Sequence, residues 1–245
     1  MSITKKNTYM NILITGCSKG LGFGLSKYYL ERGHRVFGIS RSGNSKLAGY
    51  EGFSHLKQDL GNFETVAHEL QAFLKSIDEL DLIILNAGII NGIKDVKDTE
   101  IEEMMHVMDV NVWANKVVID TLFKAGLRPG HIVAISSGAS VSGSRGWNAY
   151  SISKAALNML ISLYSKEFTD TRFTALAPGL IDTGMQEYLT GLSEKEDYPV
   201  ISKLRKARGT DQMPGPEEAA VIVASGIEKS KKYETGSFLD VRKLS

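Results

Sequence analysis

The stretch that decides the fold is Met10–Gly22, M-N-I-L-I-T-G-C-S-K-G-L-G. Met10 to Thr15 reads as a buried strand, because a short apolar run bounded by glycine has the length of a strand. An amphipathic stretch from Leu21 to Arg32 follows, with Gly33 placed to cap it. Glycines in a strand-to-helix turn let the chain bend sharply and let a pyrophosphate approach the N–H groups at the helix start. Gly16, Ser18, Lys19, Gly20, Leu21 and Gly22 are therefore the first candidate binding residues, for a dinucleotide. A tight turn that holds no ligand is the competing reading.

The same rhythm continues outward. Arg35–Ser40 and Phe53–Lys57 read as strands, and Leu82–Leu85 as a central parallel strand covered on both sides. Asn62–Ser76 places Val66, Leu70, Phe73 and Leu74 on one helical face. In the second half, helices over Thr99–Ala125, Ala149–Phe168 and Glu217–Gly226 alternate with strands over His131–Ser136, Arg172–Ala177 and Ser237–Val241. This alternation predicts an α/β fold, a doubly wound parallel sheet of Rossmann type with about seven strands and right-handed crossovers. No linker, repeat or low-complexity tract divides residues 1–245, so one domain is expected. Gly184–Pro216 resists assignment and holds three of the five prolines. A long weakly patterned insertion of this kind reads as a lid over the substrate, with a surface excursion as the alternative.

Composition narrows the function. The 245 residues are 42% hydrophobic and 23% charged, which fits one globular domain and excludes collagen-like, disordered and membrane-bundle chains. Twenty-nine basic against 28 acidic residues give a formal charge of +1, so a nucleic-acid surface is not expected. No apolar run is long enough to cross a bilayer, and the N-terminus shows no targeting pattern. The single cysteine, Cys17, cannot form an internal disulfide, and a cytoplasmic protein is expected. The five histidines fall in separate elements, so no metal site is expected.

The second strand ends in Ser40-Arg41, with no carboxylate from Ile39 to Ser42. Dinucleotide folds that select NAD usually place Asp or Glu there for the ribose hydroxyls, whereas an arginine can clamp a 2′-phosphate. Arg41, with Lys19 nearby, points to NADP(H) over NAD(H); a solvated loop arginine is the alternative. Further on, Tyr150 and Lys154 stand four apart in Y-S-I-S-K, on one helix face. A neighbouring ammonium is expected to lower the phenol pKa from its usual value near 10 and so bring it toward useful proton transfer. Upstream, Ser137 sits where the fifth strand leaves the carboxyl edge of the sheet and could hydrogen-bond a substrate carbonyl. Each of these features alone is common.

Taken together and in order, they resemble the short-chain dehydrogenase/reductase family over essentially the whole chain. The resemblance rests on T-G-x-x-x-G-x-G at Thr15–Gly22, Asp59-Leu60, Asn86-Ala87-Gly88, Asn111, Ser137, Tyr150 with Lys154, Pro178-Gly179 with Thr183, and Y-E-T-G at Tyr233–Gly236. It implies that Tyr150 is the general acid in reduction and the base in oxidation. Lys154 would hold the nicotinamide ribose and depress the Tyr150 pKa, Ser137 would polarise the carbonyl, and Asn111 would anchor a water linking Lys154 to solvent. Asp59 would bind the adenine amino group beside Leu60, and Asn86, Ala87 and Gly88 would line the adenosine and ribose side. The backbone around Ile181, with Thr183, would face the nicotinamide end. The family also implies a homodimer or homotetramer.

Two departures stand out. Leu85 precedes Asn86 where many members carry a second Asn, and the chain ends Phe238-Leu239-Asp240-Val241-Arg242 without the paired glycines often found there. The expectation is an NADPH-dependent carbonyl reductase acting on a small ketone or aldehyde. An alcohol dehydrogenase working oxidatively and a non-catalytic dinucleotide sensor are the alternatives. Trp147, three residues before Tyr150, reads as a wall of the substrate mouth or as packing. Specificity is expected in Ile89–Lys94, Ser140–Trp147 and Gly184–Pro216.

Overall fold

The computed structural model describes residues 9–192 and 198–245. The first eight residues of the expected leaderless N-terminus, and residues 193–197 of the expected lid, lie outside the described residues.

Seven strands form one parallel sheet: β1 (Asn11–Thr15), β2 (Arg35–Ser40), β3 (Phe53–Lys57), β4 (Leu82–Leu85), β5 (His131–Ile135), β6 (Arg172–Ala177) and β7 (Phe238–Asp240). Their order is β3-β2-β1-β4-β5-β6-β7. The chain leaves β1 toward one edge and resumes at β4 on the other side of β1, so a crevice opens at the carboxyl ends of β1 and β4. The helices are α1 (Gly20–Leu30), α2 (Ser45–Ala48), α3 (Phe63–Phe73), α4 (Ile101–Met108), α5 (Ala114–Lys124), α6 (Ala139–Ser142), α7 (Asn148–Glu167), α8 (Gly184–Thr190), α9 (Pro199–Ala207) and α10 (Pro216–Ser230).

The period-two geometry of the strands divides the core into two layers. Leu13, Ile83, Ile132 and Phe173 face Val66 and Leu70 of α3, Val118 and Leu122 of α5, and Leu157 and Ile161 of α7. Their neighbours Ile12, Ile14, Ile84 and Val133 face Leu21 and Leu25 of α1 and Val223 and Ile227 of α10. Each fully buried Leu, Ile or Val stabilises the fold by about 1.5–3 kcal/mol relative to exposure. Covering both faces is what a parallel sheet requires, and it leaves only the strand ends for a binding site.

Two features refine the sequence reading. The helix expected over Thr99–Ala125 begins at Ile101 and is interrupted by a π turn at Asp109–Trp113, where Ala114 N–H donates to the Asp109 carbonyl five residues back. The weakly patterned segment contains α8 and α9. Ile201, Leu204 and Ala207 of α9 join Ile93, Leu189 and Met213 in a third, smaller core that shares no buried member with the other two.

Candidate active site

The β1–α1 turn is shaped by backbone constraints. Gly16 and Gly20 have φ of +70° and +57°, a region that other residues enter only with strain. A Cβ at Gly22 would stand 2.2 Å from the Gly16 carbonyl oxygen, so the third glycine lets the helix start press against the turn. Asn86 locks the arrangement: its Nδ2 donates to the Thr15 and Gly16 carbonyls at 3.1 and 3.2 Å. Its backbone N–H donates to Thr15 Oγ1 at 3.0 Å. α1 begins without a side-chain cap and without an acidic residue in its first turn. Its unsatisfied N–H groups and positive dipole end therefore suit an anion.

From this turn a cleft of ≈ 1440 Å³ runs along the carboxyl edge of the sheet. One end is lined by Gly16, Ser18, Lys19, Gly20, Leu21, Arg41, Asp59, Leu60, Asn86, Ala87 and Gly88. The loop carrying Arg41 is tied to the glycine turn because Asn44 Nδ2 donates to the Ser18 carbonyl at 2.9 Å. Asn44 Oδ1 meanwhile accepts from Lys46 N and Leu47 N, capping α2. Asp59 Oδ1 accepts from Gly61 N at 3.0 Å, fixing the turn after β3.

Farther along the cleft, Ser137, Tyr150, Lys154, Pro178, Gly179, Ile181 and Thr183 line one region. Tyr150 and Lys154 are buried, with Lys154 Nζ 5.8 Å from the centre of the Tyr150 ring. Lys154 Nζ donates to the Ile135 carbonyl at 2.8 Å, and burial lowers its pKa to about 8. Burial pushes the Tyr150 phenol up, and a hydrogen bond from Ser137 opposes that shift. The expectation of a phenol pKa depressed by Lys154 is thus corrected: loss of water around the ring sets the direction, and the opposing influence is the Ser137 hydrogen bond.

The Ser137 loop is fixed through α7. Ser136 Oγ donates to Asn158 Oδ1 at 2.5 Å, and Asn158 Nδ2 donates to Ser140 Oγ at 2.9 Å. Ser140 Oγ in turn donates to the Ser137 carbonyl at 2.6 Å. Asn148, at the start of α7, is the single non-glycine with positive φ (+24°) among the described residues. Its Nδ2 donates to the Gly92 and Lys94 carbonyls at 2.9 and 3.0 Å, pinning the loop after β4 two residues before Tyr150. Strain held by such bonds is typical of functional sites.

Asn111 and Gly22 do not line the cleft. Asn111 sits fully buried in the π turn. Its Oδ1 accepts from Ile89 N at 2.8 Å, and its Nδ2 donates to the Ile89 carbonyl and Ser153 Oγ. Ser153 Oγ donates to the Tyr150 carbonyl, so Asn111 braces both the Gly88-Ile89 loop and α7. A Cβ at Gly88 would lie 3.2 Å from Asn111 Oδ1 and 3.4 Å from Lys154 Nζ, so only glycine leaves this corner open. Sequence reading missed Asn115, whose Nδ2 donates to the Asn111 carbonyl at 2.8 Å. An Asn four residues after Asn111 was the available signal. It also missed Arg242, which lines the cleft beside Gly138 and Gly179, while Trp147 and, from the segment expected to carry specificity, Met185, Val200, Lys203 and Leu204 line it as well.

The crevice of a doubly wound sheet, a glycine turn on an uncapped helix start, and a buried Tyr–Lys pair define a dinucleotide-dependent oxidoreductase of the α/β class. A family model described as short chain dehydrogenase matches residues 10–192, and the chain belongs to this family, whose members bind a nicotinamide dinucleotide. It is 31% identical over 240 residues to an uncharacterized oxidoreductase of Schizosaccharomyces pombe, covering 94% of this chain and 95% of that one. It is 30% identical over 246 residues to a benzil reductase ((S)-benzoin forming) of Bacillus subtilis, covering 95% and 98%. Among solved structures, a short chain dehydrogenase/reductase of Saccharomyces cerevisiae superimposes with a TM-score of 0.83 at 22% identity, covering 96% of each chain. Among the described residues no helix is long and apolar enough to cross a membrane, and no group of His, Cys, Asp and Glu could hold a metal.

Proposed function

We propose that the chain is an NADPH-dependent reductase converting a ketone or aldehyde to the alcohol, with Tyr150 as proton donor. The observation that carries this reading is the buried Tyr150–Lys154 pair beside Ser137, in the cleft that begins at the glycine turn. The geometry fits a dinucleotide: the uncapped start of α1 takes the pyrophosphate, and Gly16, Gly20 and Gly88 leave the room that a Cβ would fill. Asp59, Leu60, Asn86 and Ala87 flank the adenosine side. Pro178, Gly179, Ile181 and Thr183 flank the nicotinamide end. Arg41, aided by Lys19, supplies charge for a 2′-phosphate, and no carboxylate stands beside it from Ile39 to Ser42.

When bound, the reduced nicotinamide supplies the hydride. The chain's own residues orient the carbonyl and supply the proton. Ser137 Oγ donates a hydrogen bond to the carbonyl oxygen, and the Tyr150 hydroxyl gives its proton to that oxygen as negative charge grows there. The Lys154 ammonium stabilises the phenolate left behind. Burial keeps the phenol protonated, which is the form that donates to the carbonyl oxygen. Relatives named benzil reductases in Bacillus subtilis and Saccharomyces cerevisiae support carbonyl reduction. Helices α8 and α9 serve as the lid over the substrate.

The test is Tyr150→Phe. NADPH-driven reduction should fall by about 10²–10⁴-fold, while NADPH affinity, read by fluorescence titration, stays close to wild type. Unchanged turnover overturns the mechanism. In a parallel arm, Arg41→Asp should shift the NADPH/NADH ratio of kcat/KM by about ten- to a hundredfold toward NADH; an unaltered ratio removes Arg41 from the cofactor site.

A further inference from the structure

Ser40 is the last residue of β2 and stands directly before Arg41. It is buried, and its hydroxyl meets groups from three segments of the chain. It donates to the Ser42 carbonyl at 2.8 Å, across Arg41. It also lies 2.9 Å from His55 Nε2 of β3 and 3.2 Å from Cys17 Sγ of the glycine turn. A hydroxyl has one proton to give and two lone pairs. The Ser42 carbonyl can only accept, so the proton goes there and both other groups donate to Ser40. His55 is therefore the Nε2–H tautomer and Cys17 the protonated thiol. Burial acts in the same direction, lowering the His55 pKa and raising that of Cys17, so both groups are held neutral.

Neighbouring residues keep this hub in register. A Cβ at Gly38, two residues before Ser40 on the same face of β2, would lie 2.6 Å from Cys17 Sγ and 2.8 Å from Phe53 Cε2. Glycine there leaves the thiol its place over the strand. The Phe53 ring stacks on His55 with centres 6.1 Å apart and planes at 22°, which limits the swing of the imidazole. Ser40, Arg41 and Ser42 line the cleft, whereas His55 stands behind them.

What the hub governs is Arg41. The Arg41 side chain is exposed and makes no hydrogen bond or ion pair among the described residues, so no partner of its own fixes it. Its place is set by backbone on both sides. The Ser40–Ser42 bond closes the bend at Arg41, and Asn44 Nδ2 ties the end of the loop to the Ser18 carbonyl at 2.9 Å. A clamp whose backbone is already held loses less freedom on binding its ligand.

We propose that His55 is a positioning residue for cofactor choice: through Ser40 it holds the bend that aims Arg41 at the 2′-phosphate of the dinucleotide. The inference rests on the reading of Arg41 as the 2′-phosphate clamp and adds to it a residue outside the cleft. Loss of the Nε2–H leaves a buried lone pair of Ser40 unpaired, frees its hydroxyl to turn from Ser42, and loosens the bend.

The test measures calorimetric binding of 2′,5′-ADP and 5′-AMP, which differ only in the 2′-phosphate. His55→Ala and Ser40→Ala should each weaken 2′,5′-ADP about fivefold, the worth of one hydrogen bond, and leave 5′-AMP within about twofold of wild type. His55→Gln, whose amide can donate from the place of Nε2, should recover most of the loss. In an Arg41→Met background the His55→Ala effect should vanish, because His55 acts only through Arg41. Ser40→Ala reads the hub on its own should His55→Ala not fold. Equal losses for the two ligands overturn the proposal, since they would mean general support of the adenosine site. So do an unchanged 2′,5′-ADP affinity in the alanine variants, a glutamine variant no better than alanine, and an effect that survives in Arg41→Met. A wild type that gains nothing from the 2′-phosphate, or a gain that Arg41→Met leaves intact, overturns the reading of Arg41 itself, and this inference with it.

Discussion

At the end of the cleft under β1, β2 and β4 the site is built on a turn of glycines pressed against backbone, whereas at the other end it is built on side chains carried on α8, α9 and the turn after β7. The first end leaves little latitude. Gly16, Gly20 and Gly22 are fixed by positive φ or by close approach, and Asn86 bonds both carbonyls of the turn. The second end rests on a small core of Ile93, Leu189, Ile201, Leu204, Ala207 and Met213, apart from the two large layers. A turn pressed against backbone tolerates little change. Side chains on a detached core can be altered locally.

The largest effect that should separate the two ends comes from Gly22→Ala. The new Cβ would stand 2.2 Å from a backbone oxygen that cannot swing aside, so a loss at or above the ~3 kcal/mol upper range of overpacking is expected. Gly184→Ala, where nothing lies within 4 Å, serves as the matched control and should stay within ~0.5 kcal/mol of wild type. Equal melting temperatures for the two variants would erase the distinction. A smaller effect is expected from Leu204→Ala, about 2 kcal/mol and confined to the satellite core. Hydrogen exchange should quicken in α9 and the carbonyl KM should rise, while exchange in β1 and β4 holds; a uniform acceleration would show that the small core is not separate.

The smallest effect is a pH dependence at the junction of the two ends. Burial lowers the Lys154 pKa to about 8, so the ammonium is present below that pH and lost as pH rises through it. The rate of reduction should hold near neutrality and then fall about tenfold per pH unit, roughly 1.4 kcal/mol for each. A profile flat to pH 10 would remove Lys154 from the proton-transfer step. The same depressed pKa makes the folded chain bind fewer protons than the unfolded chain between about 8 and 10.5, so this group's destabilising contribution is relieved as pH rises through that window.

Strand positions were legible because a strand buried on both faces must be a short apolar run, and Leu82–Leu85 or His131–Ile135 can hardly be anything else. The gathering of Ser137, Tyr150 and Lys154 was legible because topology carries strand ends and the start of α7 to one edge. The π turn was not, since its residues are ordinary helix formers and only the hydrogen-bond register differs. α9 hid behind its flanks: Pro199 opens it and Gly209 follows it, so punctuation read as loop masked the stripe of Ile201, Leu204 and Ala207. The direction of the Tyr150 shift was misread because spacing reveals a neighbouring charge but not the exclusion of water. Arg242 escaped notice because Gly138 and Gly179, which border it in the cleft, are distant from it in sequence.

The satellite core has a consequence for how such a protein diversifies. Because Leu189, Ile201, Leu204, Ala207 and Met213 pack among themselves and with Ile93, the segment around them can be exchanged between homologues as a cassette. The exchange must keep Thr183 and Pro216, because a Cβ at Gly20 would lie 3.2 Å from Thr183 Cγ2 and one at Gly24 2.1 Å from the Pro216 carbonyl oxygen, so both ends rest against α1. Chimeras spliced at Thr183 and Pro216 are thus the economical route to new selectivity, and drift confined to the same cassette gives evolution a place to experiment without risking the scaffold.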